Sequence, residues 1–255
     1  MEALPSGTAP ADASPRHRRP EDGPHRTGAT GAHRQVVAIV NPNTDRATTA
    51  MMAAIARRTL RPGDGYDVRG VTVAAGPPML VDEEVLRASV RHVLDAADRL
   101  LAGPDGDRVA AFVVSAFGDP GVEELRARTA VPVVGIAEAA LREAGAEGRR
   151  FGIATTTPGL AAAIDARAAR LGWSAQYTGI RLTPGDPRRL AASPEEMTER
   201  LAEAVDRCVR EDGAEAVVIG GGPLGEAAEA LRHRFPVPVV GPVPAAGREV
   251  LRLLA

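Results

Sequence analysis

From Gln35 onward, short runs rich in β-branched residues alternate with helical stretches, and that alternation removes most fold classes at once. Residues 36–40, 68–73, 109–115 and 131–134 read as strands. A second series follows at residues 151–155, 176–180, 216–219 and 237–240. Helices are expected from near Arg46, over 82–101 and 159–171, then over 195–210, 227–234 and 245–254. Within 82–101, Val85, Val90, Val93, Leu94 and Leu101 mark one apolar face, while Arg87, Arg91 and Asp95 face water. Short strands separated by helices predict an α/β protein, its parallel sheet covered by helices on both faces.

An internal repeat divides the series into two similar halves. Residues 111–140 run through a Val-Val strand, a turn of small residues and an acidic helix, then Val-Pro-Val-Val-Gly-Ile-Ala-Glu-Ala-Ala. Residues 216–246 repeat that order and end Val-Pro-Val-Val-Gly-Pro-Val-Pro-Ala-Ala. The expected organisation is a first lobe over 35–150 and a second over 151–243. The closing helix at 244–255 is expected to pack back on the first lobe. Two such halves face one another across a cleft, and open α/β sheets bind ligands beyond the carboxyl ends of their strands. Residues 1–34 have low hydrophobicity, five prolines and no periodicity, and read as a disordered tail.

Composition narrows the chemistry. The formal net charge of −2 argues against a nucleic-acid partner, and no apolar run has the length of a membrane span. The tail lacks the apolar segment of a signal peptide, and the single cysteine, Cys208, forms no disulfide within the chain. A cytoplasmic protein is expected. The chain contains no lysine, which excludes a pyridoxal-phosphate Schiff base. His17, His25 and His33 lie in the tail, His92 and His233 in helical charge runs, so no metal site is expected.

Four turns follow strands and carry the candidate site residues. Asn41-Pro42-Asn43-Thr44 offers two amides and a hydroxyl before a helix, where Asn43 or Thr44 either caps the helix or helps to hold an anion. Ser115-Ala116-Phe117-Gly118-Asp119-Pro120-Gly121 combines backbone N–H groups with a hydroxyl and a carboxylate. Asp119 before Pro120 also fits an N-cap acid followed by proline at the first helical position. Thr155-Thr156-Thr157-Pro158 is either a helix entry or a carboxylate holder. Gly220-Gly221-Gly222-Pro223 lets a ligand approach the backbone, or answers only to a tight turn. Glu138, at a strand-to-helix junction, is a cap or a site residue. Glu226 is an acid beside a helix start or a group next to the glycine turn. Cys208 falls on the stripe Met197, Leu201, Val205, Cys208, Val209 and reads as a buried thiol.

At these turns the chain resembles the aspartate/glutamate/hydantoin racemase superfamily, in its hydantoin/allantoin branch. The resemblance rests on Asn41-Pro42-Asn43-Thr44, Gly76-Pro77, Phe117-Gly118-Asp119-Pro120-Gly121, Pro132-Val133-Val134-Gly135-Ile136-Ala137-Glu138-Ala139 and Gly152-Ile153-Ala154-Thr155-Thr156. It implies two Rossmann-like lobes with parallel sheets, related by a pseudo-twofold axis, with the active-site cleft between them and no cofactor. Racemases of this family carry one cysteine at the head of each of two turns. Here the resemblance places Ala116 at the first position, and the second falls in the Gly220-Gly221-Gly222 triplet, aligned at Gly221.

What the resemblance leaves is an anion cradle formed by Asn41, Asn43, Thr44, Ser115, Ala116, Phe117, Gly118, Thr155, Thr156, Gly221 and Gly222. Asp119, Glu138 and Glu226 are the candidate acids and bases. The leading expectation is a cofactor-independent enzyme acting on a small carboxylate or cyclic amide without a thiol. Isomerisation, elimination, decarboxylation and cyclisation all fit a stabilised enolate or anion. An inactive homologue that holds a small acid is the second reading, and a two-base racemase using carboxylates the third. A homo-oligomer is left open.

Overall fold

The computed structural model describes residues 34–255; the expected tail, apart from Arg34, lies outside the described residues. The first half runs β1 (Gln35–Asn41), α1 (Arg46–Thr59), β2 (Tyr66–Thr72), α2 (Glu83–Ala88), α3 (Val90–Leu101), β3 (Val109–Val114), α4 (Val122–Arg126), β4 (Val133–Gly135) and α5 (Ile136–Ala144). The second runs β5 (Phe151–Thr155), α6 (Ala161–Arg170), β6 (Tyr177–Leu182), α7 (Pro187–Ala191), α8 (Pro194–Arg210), β7 (Ala216–Ile219), α9 (Gly225–Leu231), β8 (Val239–Val240) and α10 (Pro242–Leu254). Each half forms a four-stranded sheet, ordered β2-β1-β3-β4 in one and β6-β5-β7-β8 in the other, with every pairing parallel. The repeat in sequence is thus a repeat in topology, as the two-lobed α/β reading requires.

Alternation along the strands assigns their side chains to layers. Val37 and Ile39 of β1, Ala111 and Val113 of β3, Phe151 and Ile153 of β5, and Ala216 and Val218 of β7 point into one core shared by both sheets. Met52 and Ile55 of α1 and Leu141 of α5 fill that core. Ala38, Val40, Phe112 and Val114 form the opposite face of the first sheet, covered by Val93 and Leu94 of α3. Ala154, Val217 and Ile219 do the same in the second sheet, beneath Leu201, Val205 and Cys208 of α8. α10 packs against α1 and α5 of the first half, with Arg248 paired to Glu143 at 2.7 Å.

Two local departures from the sequence expectation shape the site. The helix expected over 82–101 is broken at Ser89, whose hydroxyl donates to Leu86 O at 2.6 Å and competes with the helical ladder. The break turns Leu86 toward the cavity while α3 covers the sheet. Apolar periodicity runs straight through this joint, and neither glycine nor proline marks it. The short helix α7 is started by Asp186, which accepts from Arg188 and Arg189 N–H, and by Pro187 at the first position. Sequence reading assigned no element there.

Candidate functional site

The turns that leave β1, β3, β5 and β7 border a single cavity of about 200 Å³. Asn43 comes from the first, Ser115, Ala116 and Phe117 from the second, Thr156 and Thr157 from the third, and Gly220, Gly221 and Gly222 from the fourth. This is the crevice beyond the carboxyl ends of the strands. Pro78, Met79, Leu80, Leu86 and Met197 supply an apolar wall.

The first turn is organised by Asn41, which is buried beneath the cavity rather than lining it. Its amide donates to Asn43 Oδ1 at 2.8 Å and reaches Thr49 Oγ1 at 3.0 Å. Asn43 Oδ1 also accepts from Asp45 N–H at 2.9 Å. With that oxygen committed, the Asn43 NH2 group is the part left for a ligand. Thr44 is held on the neighbouring loop, its N–H donating to Pro77 O at 3.1 Å, and it does not border the cavity. The cap of α1 is neither Asn43 nor Thr44 but Asp45, which accepts from Ala47 N–H at 2.8 Å.

In the second turn, Asp119 N–H donates to Ala116 O at 3.0 Å and closes the loop, while the amides of Ala116, Phe117 and Gly118 donate to no backbone acceptor among the described residues. Gly118 itself stands outside the cavity lining. Asp119 does not cap the helix that follows it, because Gly121, in a left-handed conformation, holds the N-cap of α4. Its carboxylate reaches back to the start of α5, accepting from Ala137 and Glu138 N–H at 2.8 Å each. Gly135 makes this possible, since a Cβ there would land on the Asp119 carboxyl group.

Asp119 is also paired at 3.1 Å with the buried Arg167, which enters from α6 of the second half. Arg167 contacts Glu123 as well, and Glu138 at 3.4 Å; Glu138 is further held by Arg126 and Arg142. Burial raises the Asp119 pKa to about 6 against the opposing pull of Arg167. Neither Asp119 nor Glu138 borders the cavity.

Thr155 turns away from the cavity and donates to Gly220 O at 2.7 Å, tying β5 to the glycine turn, while Thr156 and Thr157 face inward. A Cβ at Gly222 would stand 2.7 Å from Ser115 O, so the second and fourth turns touch through a residue that must be glycine. Gly221 is different. Its backbone is extended, and only the Leu224 side chain, at 3.0 Å, crowds an added Cβ. Ala116 and Gly221 therefore lie in one cavity, and of the three glycines only 221 has room for a side chain. Glu226 is on the outer surface, paired with Arg58 at 3.0 Å with both side chains half exposed. Cys208 is buried in the α8–β5 layer, where burial pushes its thiol up to about 12.

Sequence reading did not single out Asp45, Thr48 or the Pro78, Met79 and Leu80 segment, and it named Thr157 only as one of the hydroxyls of its turn; all of these border the cavity. An acid immediately before a helix expected near Arg46 was a cap signal that pointed to Asp45. Nothing in the composition of the loop after β2 marked it as a wall.

The cavity offers neutral donors opposite an apolar wall, suited to a small ligand that acquires negative charge on an oxygen. Comparison with known proteins agrees with this architecture. A hydantoin racemase from Pseudomonas sp. (strain NS671) is 29% identical over 204 residues, 80% of each chain. One from Paenarthrobacter aurescens is 26% identical over 219 residues, 86% of this chain and 91% of the relative. The structure of allantoin racemase from Klebsiella pneumoniae superposes with a TM-score of 0.78 at 29% identity, covering 86% of this chain and 87% of that one. Arylmalonate decarboxylase, at 19% identity and a TM-score of 0.59, shares the fold. The Asp/Glu/Hydantoin racemase family model matches residues 37–250, and with its two parallel lobes and the cavity at their strand ends the chain belongs to that family.

Proposed function

We propose that this protein is a cofactor-independent enzyme that moves a proton at a carbon next to a carbonyl of a neutral cyclic amide of the hydantoin type, without a thiol. The observation that carries this reading is the set of uncommitted donors in the cavity: the Asn43 NH2 group and the amides of Ala116 and Phe117. When the ring carbon loses its proton, the electron pair passes onto the neighbouring carbonyl oxygen. Preorganised donors stabilise that charge. A neutral ring fits better than a free carboxylate, because no arginine or histidine borders the cavity among the described residues. The chain's one cysteine lies elsewhere, so the proton is taken up by and returned from solvent, with water and the hydroxyls of Ser115, Thr156 and Thr157 relaying it, each giving up one proton as it accepts another.

A two-base mechanism through Asp119 and Glu226 finds no support in the geometry, since one is buried outside the cavity and the other is on the surface. The second reading, a homologue that only holds its ligand, is favoured by a cavity that, among the described residues, has no histidine or cysteine to exchange protons near neutral pH. Incubating an optically pure 5-substituted hydantoin in heavy water separates the two. The enzyme reading expects deuterium at the ring carbon and loss of optical rotation faster than in a protein-free control. Asn43→Ala should slow that exchange by about 10- to 100-fold, the worth of one hydrogen bond to a charged oxygen. Ligand-induced thermal protection with exchange only at the control rate would leave the binding reading in its place.

A further inference from the structure

Among the described residues that border the cavity, Asp45 is the only one with an ionisable side chain. It stands at the N-terminus of α1, with Oδ1 accepting from Ala47 N–H at 2.8 Å and Oδ2 from the Thr48 hydroxyl at 2.7 Å. A carboxylate has about four acceptor positions, so these bonds leave capacity on both oxygens for a ligand. The Thr48 hydroxyl and the helix N–H groups hold its pKa below the usual carboxylate range. It is therefore charged at neutral pH, and no cation among the described residues lines the cavity to offset it. Every other polar group on the wall is neutral. A ligand entering this space meets one fixed negative charge.

We propose that Asp45 is the specificity-determining residue of the site, accepting an N–H of a neutral ring and repelling any ligand that carries a carboxylate. The closed cyclic amide is then admitted and its ring-opened acid refused. This rests on the cyclic-amide reading given above and adds the group that enforces it. A hydantoin ring presents two N–H donors and two carbonyl oxygens. The carboxylate of Asp45 and the donors of Asn43, Ala116 and Phe117 supply both halves of that pattern. A ureido acid formed by hydrolysis of the same ring adds a second negative charge to a space that already holds one. At separations of a few ångströms, partly screened by solvent, such repulsion changes affinity by on the order of tenfold.

The test uses a matched pair, 5-isopropylhydantoin and N-carbamoylvaline, which differ by ring opening and charge but share the substituent. Binding of both is measured by calorimetry to the wild type and to Asp45→Asn and Asp45→Ser. Asparagine and serine cap helices nearly as well as aspartate, so α1 keeps its start, and melting curves check that it does. The wild type should prefer the ring by about tenfold or more, and both variants should gain affinity for the acid by on the order of tenfold. Folded variants that keep the wild-type preference would overturn the role of Asp45 and leave the cyclic-amide reading intact. A wild type that takes the acid as well as the ring, or that binds neither, would remove both.

Discussion

α5 and α10 occupy equivalent places in the two halves, each starting directly after a Val-Val-Gly segment at the end of a strand. α5 begins Ile136-Ala137-Glu138, with N–H groups to satisfy, and the Asp119 carboxylate takes two of them. α10 begins Pro242-Val243-Pro244, where the prolines have no N–H, and no side chain caps it. The turns preceding these helices diverge accordingly. The turn after β3 is tethered by charge, through Asp119 to α5 and through Arg167 to the other half. The turn after β7 is held without charge, by the Thr155 hydroxyl on Gly220 O and by the contact of Gly222 with Ser115 O, while the acid beside it, Glu226, faces solvent. A carboxylate in a candidate turn is thus not automatically an acid or base. Asp119 serves the helix start that the second half makes with proline.

The charged tether should be the more fragile device. Arg167→Met leaves Asp119, Glu123 and Glu138 without their shared cation, and removing one partner of a buried pair costs about 3–5 kcal/mol. Arg58→Met removes the partner of Glu226 at the surface and should cost about 0–1 kcal/mol. Urea denaturation of both variants measures the contrast, and equal losses would break it. Heat stability against pH sharpens the same point. Asp119 binds its proton up to about pH 6 when folded, against 3.8 for an unperturbed aspartate. Between those limits the folded state holds a proton that the unfolded state has released. Its contribution is therefore full below the lower value and lost as pH rises through the upper one, on the order of 2–3 kcal/mol. Asp119→Asn should flatten that fall relative to wild type, whereas Glu226→Gln should leave the curve unchanged.

The paired glycines give a smaller effect with the same logic. Gly135 and Gly241 both have ordinary negative φ, so backbone strain does not separate them. A methyl at Gly135 collides with the Asp119 carboxyl group, while one at Gly241 finds Ala228 Cβ at 3.4 Å. Gly135→Ala should cost about 1–3 kcal/mol by overpacking, and Gly241→Ala less than about 1 kcal/mol. Combining Gly135→Ala with Asp119→Gly should return part of that loss, since the colliding group is gone.

Much of this fold was legible because strand and helix periods are written in the chain. β5 and β7 fall at the residues expected, and the repeat reappears as two sheets of one order. Legibility failed where tertiary contact overrides local pattern. Ser89 breaks a helix through one hydroxyl bond, which periodicity does not record. For the site, the four turns named from strand ends do meet at one cavity, but residue roles within them depended on side-chain direction. Asn41, Thr155 and Asp119 carry the right groups in the right turns and spend them on the scaffold. Asp45 borders the cavity although its sequence signal is only that of a cap.

The least consequence for function is expected at Cys208, and that expectation discriminates most sharply among mechanisms. Its Sγ lies 3.8 Å from Ile153 O, closed in between α8 and β5, where the absent side chain of Gly152 makes room for it. With its pKa pushed up to about 12 by burial, it holds almost no thiolate at neutral pH, and the thiolate is the reactive form. Maleimide should fail to label the native protein and should label it once unfolded. Cys208→Ala removes one buried sulfur and should lower stability by about 1–2 kcal/mol. Deuterium exchange into a hydantoin should proceed at the wild-type rate, because the residue neither touches the cavity nor holds any turn that does. Introducing cysteines at Ala116 and Gly221, which the cavity can hold, then asks the reverse question, with Gly222→Cys as the control that Ser115 O excludes. A loss above about 100-fold in the folded Cys208→Ala variant, ~2.7 kcal/mol in the barrier, would mean that the thiol reaches the reaction after all.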